Sequence, residues 1–230
     1  MNLGLLVCDH VDTDLRAEHG GYVDMFRALF RTETEVHISP YDLRKGDWPR
    51  DAKECDAWIT TGSRYSVNDE VGWIVHLHEF VRQAVAAAVP FVGICFGHQM
   101  LAKALGGSVS GAKSGWAVGI HKVRFLKPDT GSESALVVYS HSEAIGRLPK
   151  SAMIVGESPH CPTAVVRFAP RALGIQGHPE MTSEYARTLL ERRRGSLIPE
   201  ATVSAGLATF EHNPNTSAWL NLIVEFIHSA

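Results

Sequence analysis

A cysteine lies between two glycines at the point where an apolar run ends and a helical pattern begins. The segment is FVGICFGHQM, residues 91–100, in which Cys95 has Gly93 and Gly97 two positions away on either side. A G-x-C-x-G sequence between a strand and a helix is the thiol form of the nucleophile elbow, a sharp turn that presents the reactive atom at the sheet edge. A helix beginning near Phe96 would favour a thiolate through its unpaired N–H groups and positive dipole end. Cys95 is the candidate nucleophile, and the alternative is a small buried apolar residue.

The other cysteines, Cys8, Cys55 and Cys161, lack this setting and are interpreted as buried apolar residues. The four cysteines are widely spaced and form no C-x-x-C pair, so neither a disulfide framework nor a zinc ribbon is predicted. Cys95 and His98 could supply two metal ligands, but no second pair follows at ligand spacing. We therefore expect no metal and no cofactor.

A cysteine nucleophile needs a base, and the base needs an orienting group. The segment GIQGHPE, residues 174–180, places His178 and Glu180 two positions apart with Pro179 between them. Residues i and i+2 of an extended segment face the same side, so the imidazole and the carboxylate can act together. The alternative is a capped turn before a helix that starts near residue 182.

The carbonyl attacked by Cys95 would develop a negative oxygen, which two N–H donors must stabilise. The backbone of Phe96 offers one donor. The second is expected from the loop TTGSRYSV, residues 60–67, where Gly62 allows close approach of the backbone. A plain turn at the end of a strand would also explain Gly62.

Strand and helix patterns alternate along the first half of the chain. The strands are predicted at LGLLV, TEVHIS, CDAWITTGS and PFVGIC, and the helices between or after them at GYVDMFRALF, residues 73–88 and FGHQMLAKALGG. This alternation predicts a doubly wound, mostly parallel α/β sheet with flanking helices. Residues 108–176 are rich in β-branched runs and predict an additional region of mixed or antiparallel strands. No linker or repeat interrupts the chain, so residues 1–230 are expected to form a single domain.

Two further helices are predicted near the C-terminus. TSEYARTLLERRRG has a candidate cap at Thr182, Glu184 in its first turn and Gly195 beyond its end, and Trp219 opens the apolar stripe of the last helix. The three arginines at 192–194 are interpreted as a solvated helix end rather than an anion site.

The charge balance excludes some classes of partner. With 22 basic and 25 acidic residues the formal net charge is −3, which gives no general attraction to nucleic acid or anionic membranes. No stretch reaches the roughly 18 apolar residues of a membrane span, and the N-terminus becomes acidic too early for a secretory signal. We expect a cytoplasmic protein with small-molecule or protein partners.

Taken together, GICFGHQ and the later HPE resemble the class I, or triad, glutamine amidotransferases. The resemblance continues in family order through ITTGSRYSVND, LAKALGG, WAVGIHKV and YSHSEAIGRLP and covers most of the chain. Within the family the sequence is similar to the stand-alone subgroup that resembles the glutaminase domain of GMP synthetase. The resemblance implies a flavodoxin-like class I amidotransferase fold.

The resemblance also implies roles for individual residues. Cys95 would attack the carboxamide of glutamine and form a γ-glutamyl thioester with release of ammonia, His178 would act as acid and base, and Glu180 would hold its imidazole. The oxyanion positions would be Gly62 and Phe96. The residues implied in substrate binding are Gln99, Ser140, His141 and Ser142. His141 could equally be a loop histidine with internal partners, and His98 is expected to serve in packing.

The sequence departs from the family pattern in two respects. It contains neither a synthetase domain nor a G-x-x-x-x-G-K-[ST] phosphate loop, so the ammonia acceptor would be a separate synthetase subunit. Gly177 stands where an aromatic residue often precedes the histidine, and it is expected to loosen the pocket. Three functions remain open: a glutaminase of the amidotransferase type, a stand-alone γ-glutamyl peptidase or hydrolase, and a non-catalytic binding or regulatory protein.

Overall fold

A computed structural model describes residues 1–126 and 132–229. Its centre is a nine-stranded sheet in the order β2–β1–β3–β4–β11–β10–β9–β6–β7, and β5 and β8 form a separate antiparallel pair. The strands are β1 Asn2–Val7, β2 His37–Asp42, β3 Ala57–Thr60, β4 Phe91–Ile94, β5 Ser108–Gly111, β6 Ala117–Phe125, β7 Ser134–His141, β8 Glu143–Arg147, β9 Met153–Glu157, β10 Val165–Ala169 and β11 Ala172–Ile175.

Helices cover both faces of the parallel part of the sheet. They are α1 Thr13–His19, α2 Tyr22–Leu29, α3 Gly72–Ala86, α4 Phe96–Ala104, α5 Ser183–Arg192, α6 Glu200–Ala208 and α7 Thr216–Ser229. Successive residues of β1 point to opposite faces: Leu5 packs in a cluster with Phe26 of α2, whereas Leu6 packs with Leu77 of α3 and Met100 of α4. The doubly wound arrangement predicted from the alternation of strands and helices is confirmed. None of the helices in residues 1–126 and 132–229 is long and apolar enough to cross a membrane.

The sheet is parallel on one side and antiparallel on the other. Strands β2, β1, β3, β4 and β11 are parallel neighbours, and β10, β9, β6 and β7 continue the sheet in antiparallel pairs. The prediction of mixed or antiparallel strands in residues 108–176 is confirmed.

Strand β11 brings the late part of the chain to the cysteine. It pairs in parallel with β4, with Gly174 opposite Gly93 and Ile175 opposite Ile94. Parallel strands end at the same sheet edge, so the residue after β4, Cys95, and the residue after β11, Gln176, emerge side by side.

Two helices lack a counterpart in the sequence analysis. Helix α1 buries none of its residues, so it carries no apolar stripe. Helix α6 is rich in small residues and packs closely on β6 through glycines: a Cβ added at Gly206 would lie 2.7 Å from Val118 Cγ2. Neither helix presents the periodic large apolar residues by which helices are recognised from sequence.

Candidate active site

The turn between β4 and α4 holds Cys95 in a backbone conformation that side chains rarely adopt. Its φ is 50° and its ψ is −96°, and its N–H donates to the Ile175 carbonyl at 2.8 Å. The flanking glycines are required by space: a Cβ at Gly93 would lie 2.4 Å from the Gly97 carbonyl, and one at Gly97 would lie 1.8 Å from Thr60 Oγ1. The predicted elbow is present, and close packing enforces it.

The segment after β11 places His178 and Glu180 together. Nδ1 of His178 lies 2.8 Å from Oε1 of Glu180, and both side chains are buried. The His178 N–H donates to the Val138 carbonyl at 2.9 Å, which fixes the backbone of the segment on β7. With Nδ1 directed at the carboxylate, the opposite ring nitrogen is left to exchange a proton with a substrate or a nucleophile.

The charges around His178 favour its protonated form. Burial alone would lower the pKa of the imidazole. The negative charges of Cys95 and Glu180, with hydrogen bonds to both, outweigh burial and raise the pKa of His178 to about 10. Beside a Cys95 thiolate, His178 therefore carries a proton at neutral pH and can donate it.

Gly62 and Phe96 both bring backbone N–H groups to this corner. A Cβ at Gly62 would lie 2.6 Å from His178 Cε1 and 3.6 Å from Cys95 Cβ, so only glycine fits. Within residues 1–126 and 132–229, the Gly62 N–H has no hydrogen-bond acceptor. Phe96 is the first residue of α4, so its N–H has no acceptor within the helix. In the part of the chain that the structure describes, neither N–H is engaged by an acceptor.

Gln176 is a site residue that the sequence analysis missed. Its Nε2 donates to Cys95 Sγ at 3.6 Å, and its Oε1 accepts from Gln99 Nε2 at 3.2 Å. Gln99 also donates to the Glu143 carbonyl at 2.9 Å. The two-residue spacing between Gln176 and His178 in an extended segment is the signal that could have identified Gln176.

The three residues at 140–142 occupy different environments. Ser140 Oγ accepts from Arg193 Nη1 at 2.9 Å and lines the same cavity as Cys95. His141 is buried, its Nδ1 lies 2.9 Å from the Glu143 carbonyl oxygen, and burial lowers its pKa to about 4. The Ser142 carbonyl accepts from the Ala112 N–H at 2.8 Å. Among the three, Ser140 is the residue that lines this cavity.

A cavity of about 270 Å³ is open to both Cys95 and His178. Its walls combine charged, aromatic and apolar side chains. They include Asp9, Asp12, Tyr22, Ser63, Arg64, Met181, Tyr185, Leu189, Arg192, Arg193 and Leu197. The cavity is of a size to take a small polar molecule.

A buried carboxylate anchors the loop that carries Gly62. Asp9, which is 2% exposed, accepts from the Arg64 N–H at 2.9 Å and from Arg64 Nε at 2.8 Å, and it pairs with Arg44. Arg64 lies two residues beyond Gly62, so the pair holds the loop against the end of β1. Polar residues just after a parallel strand are expected at a binding edge, and this rule could have identified Asp9.

His98 points into the core. It is fully buried, its ring lies against Phe168, and neither ring nitrogen makes a hydrogen bond within residues 1–126 and 132–229. Burial lowers its pKa to about 3, with a smaller contribution from His141, against the nearby carbonyls of Thr163 and Gly174. His98 is therefore a neutral packing residue, as expected from its position three residues after Cys95.

The expectation that Gly177 loosens the pocket was wrong. A Cβ at this position would lie 2.6 Å from Val137 Cγ1 and 3.2 Å from Tyr139 Cε1. These two side chains of β7 occupy the space that a larger residue would need. Gly177 accommodates close packing and does not line the cavity shared by Cys95 and His178.

Comparisons with known proteins agree with this geometry. The model of the family "Glutamine amidotransferase class-I" matches residues 23–194. Gamma-glutamyl peptidase 5 of Arabidopsis thaliana is 27% identical over an alignment of 231 positions, which covers 94% of this chain and 90% of that protein. A GMP synthase [glutamine-hydrolyzing] of Macrococcus caseolyticus is 38% identical over an alignment of 143 positions, which covers 57% of this chain but 26% of that protein.

The fold has a close counterpart among solved structures. The crystal structure of a glutamine amido transferase from Methylobacillus flagellatus superposes with a TM-score of 0.77 and 20% identity, covering 99% of this chain and 92% of that one. The family match spans well over half of the sequence. The chain belongs to the class I glutamine amidotransferase family.

Proposed function

We propose that this protein hydrolyses the γ-carboxamide of glutamine, or the corresponding amide of a related γ-glutamyl compound, through a thioester on Cys95. The observation that carries the proposal is His178, which is paired with the buried Glu180 and lines the same cavity as a cysteine held in a strained turn. Membership of the amidotransferase family supports the same chemistry.

In the first half-reaction Cys95 Sγ attacks the γ-carbonyl carbon. The carbon–nitrogen bond breaks, and His178 gives its proton to the departing nitrogen, so that ammonia leaves when glutamine is the substrate. Acylation removes the negative charge from Cys95, so the main support for the raised pKa of His178 disappears. His178 then takes a proton from a water molecule as the water oxygen attacks the thioester carbon. The carbon–sulfur bond breaks, and glutamate leaves with loss of its carboxyl proton to solvent, which restores the Cys95 thiolate beside protonated His178.

The oxyanion of each tetrahedral intermediate would be bound by the N–H groups of Gly62 and Phe96. Both lie beside Cys95 without competing acceptors in residues 1–126 and 132–229. The family resemblance implies Gln99, Ser140, His141 and Ser142 in recognition of the glutamyl group, and of these Ser140 lines the cavity that Cys95 shares. Gln99 contributes through its hydrogen bond to Gln176, which contacts Cys95.

The ammonia acceptor would be a separate synthetase. The Macrococcus relative is named as a glutamine-hydrolysing GMP synthase, and this chain matches 26% of its length. A partner that supplies the remaining synthetase function would make the complex equivalent to such an enzyme. The four free cysteines fit a reducing compartment, and we place the protein in the cytoplasm.

A second candidate function is that of a γ-glutamyl peptidase, which releases an amine or amino acid instead of ammonia. The Arabidopsis relative named gamma-glutamyl peptidase 5 matches 94% of this chain and 90% of its own length. The cavity beside His178 also extends past the space that ammonia needs, to Tyr185 and Arg193. Both candidates use the same Cys95 thioester.

The test is the release of free glutamate from L-glutamine and from γ-glutamyl-alanine, with the wild-type protein and Cys95→Ala side by side. We expect turnover of at least one substrate by the wild-type protein and none above background by Cys95→Ala. The substrate with the larger kcat/KM decides between glutaminase and peptidase. Equal release by the two proteins, or failure of a γ-glutamyl electrophile to label Cys95, would remove the thioester proposal and favour a binding protein.

A further inference from the structure

One wall of the cavity at Cys95 is formed by a single face of α5 and by the residue that caps its C-terminal end, Arg193. Tyr185, Leu189 and Arg193 follow one another at four-residue spacing and all line the cavity with Cys95 and His178. Arg193 is partly buried, and its Nη1 donates to Ser140 Oγ at 2.9 Å. The sequence had suggested only a solvated helix end at this position.

Arg64, Arg192 and Arg194 each pair with an acidic side chain, whereas Arg193 has no such partner in the described part of the chain. Arg64 pairs with Asp9 and Asp12, Arg192 pairs with Asp12 and Asp14, and Arg194 pairs with Glu191. Within residues 1–126 and 132–229, no carboxylate lies within ion-pair distance of Arg193. A partly desolvated guanidinium in a ligand cavity is stabilised when an anion reaches it.

Arg193 lines the same cavity as His178, and this shared lining bears on which part of a substrate it would meet. His178 delivers its proton to the departing nitrogen, so the leaving group must lie beside His178. The α5 wall follows directly after the His178–Glu180 segment and lines the cavity with His178. The contacts of Gln99 with Gln176 and the Glu143 carbonyl lie outside this cavity lining.

We propose that Arg193, positioned by Ser140, binds a carboxylate carried by the amine leaving group. The preferred substrates are then γ-glutamyl amino acids or peptides, in which the nitrogen released by Cys95 belongs to an amino acid with a carboxylate close to the broken bond. Ammonia released from glutamine has no group that reaches Arg193. This inference rests on the Cys95 thioester proposed above and specifies its substrate class.

The experiment compares γ-glutamyl-alanine with γ-glutamyl-alaninamide, which differ only in the leaving-group carboxylate, and includes glutamine as a third substrate. For the wild-type protein we expect kcat/KM to be higher for γ-glutamyl-alanine than for the amide. Arg193→Gln should lower kcat/KM for γ-glutamyl-alanine roughly 10- to 100-fold, as expected for loss of a charged hydrogen bond, mainly through KM. The values for the amide and for glutamine should stay within about twofold, because the lost contact is made by neither.

Two further variants keep the result interpretable. Ser140→Ala leaves the charge in place but releases the guanidinium. Because Ser140 is also assigned to the glutamyl group, kcat/KM can fall for all three substrates, but the ratio of kcat/KM for γ-glutamyl-alanine to that for the amide should fall by a smaller factor than in Arg193→Gln. Arg194→Gln is the matched control, because Arg194 is a neighbouring arginine that pairs with Glu191 and lies outside the cavity lining. It should leave the preference unchanged.

An equal loss on all three substrates in Arg193→Gln would overturn the inference, because it would mean a general structural role or contact with the α-carboxylate that the substrates share. A wild-type protein without preference between γ-glutamyl-alanine and its amide would overturn it as well. Absence of any Cys95-dependent hydrolysis is a different result, and it would refute the proposed function itself.

Discussion

The two sides of the catalytic cavity are built in different ways. On the Cys95 side the chain is buried, and its geometry is set by backbone contacts: the strained turn, two glycines without room for a side chain, and the Cys95 N–H bound to β11. On the α5 side the cavity is lined by side chains, several of them charged and partly exposed, such as Arg192 and Arg193. Under the proposed function, the Cys95 side carries out the reaction and the α5 side selects which substrates bind.

This difference predicts that substitutions on the two sides of the cavity change the activity on different substrates in different ways. Changes on the Cys95 side, including His178 and its partner Glu180, should affect every substrate by the same factor. Changes on the α5 side should affect substrates unequally, according to their leaving groups. The substrate-dependent loss expected for Arg193→Gln is the test of the second half of this statement.

The largest effect is expected from Glu180→Gln. The substitution keeps the shape but removes the negative charge that orients and supports protonated His178, so kcat/KM should fall roughly 1,000-fold or more. The loss should be the same for glutamine and for γ-glutamyl-alanine, since both need the same proton transfers. The measurement is steady-state kinetics on both substrates, with Glu184→Gln, at an exposed site in the first turn of α5, as the control.

The pH dependence of kcat/KM provides a second test of the support that Glu180 gives to protonated His178. The pKa of His178 is raised to about 10, so its acid form persists well above pH 6.5, and kcat/KM should decline only as the pH rises through about 10. In Glu180→Gln one of the two supporting charges is gone, so the alkaline limb should move to lower pH. If the alkaline decline of kcat/KM stayed at the same pH in Glu180→Gln, Glu180 would not support the charge of His178.

The next effect is on the stability of the corner that carries Cys95. In Gly97→Ala the new Cβ would meet Thr60 Oγ1 at 1.8 Å, and that oxygen already accepts the Ile94 N–H. Overpacking of this kind costs about 1–3 kcal/mol, so the urea midpoint of unfolding should fall. Gly72→Ala, at the start of α3 with no atom within 4 Å of its added Cβ, should leave the midpoint unchanged or raise it slightly. A normal midpoint in Gly97→Ala would mean that the corner is not tightly packed.

The two sides of the cavity also differed in how far the sequence revealed them. The Cys95 turn, the His178–Glu180 pair and the close approach at Gly62 depend on local patterns, because glycine spacing and strand alternation are written in a few adjacent residues. The doubly wound sheet followed from the alternation of strand and helix patterns for the same reason.

The remaining features depend on which distant segments meet. The contact between Arg193 and Ser140 requires that the end of α5 lie over the end of β7, and the burial of Asp9 requires Arg64 and Arg44 around it. The space beside Gly177 is filled by Val137 and Tyr139 of another strand, which no local pattern indicates. Helix α6 was missed because its contact face is made of small residues.

The smallest predicted effect concerns His98, which lies beneath the Cys95 side. Burial lowers its pKa to about 3, whereas an unfolded chain binds the proton near pH 6.5. Between these values the unfolded state binds more protons, so the free energy of unfolding should fall as the pH is lowered below 6.5. His98 contributes at most about 1.4 kcal/mol per pH unit to this slope.

His98→Leu should therefore reduce the acid slope by up to about 1.4 kcal/mol per pH unit, while His228→Leu, at an exposed site of α7, provides the control. The measurement is urea unfolding at several pH values between 6.5 and 4.5. The slope that remains in His98→Leu should include the contribution of His141, whose pKa is lowered to about 4 by burial and by neighbouring histidines. If the slope were the same in the wild-type protein and in His98→Leu, protonation of His98 would have to be tolerated by the core. The Cys95 side would then have to contain a partner or space for a charged imidazole, contrary to its close packing.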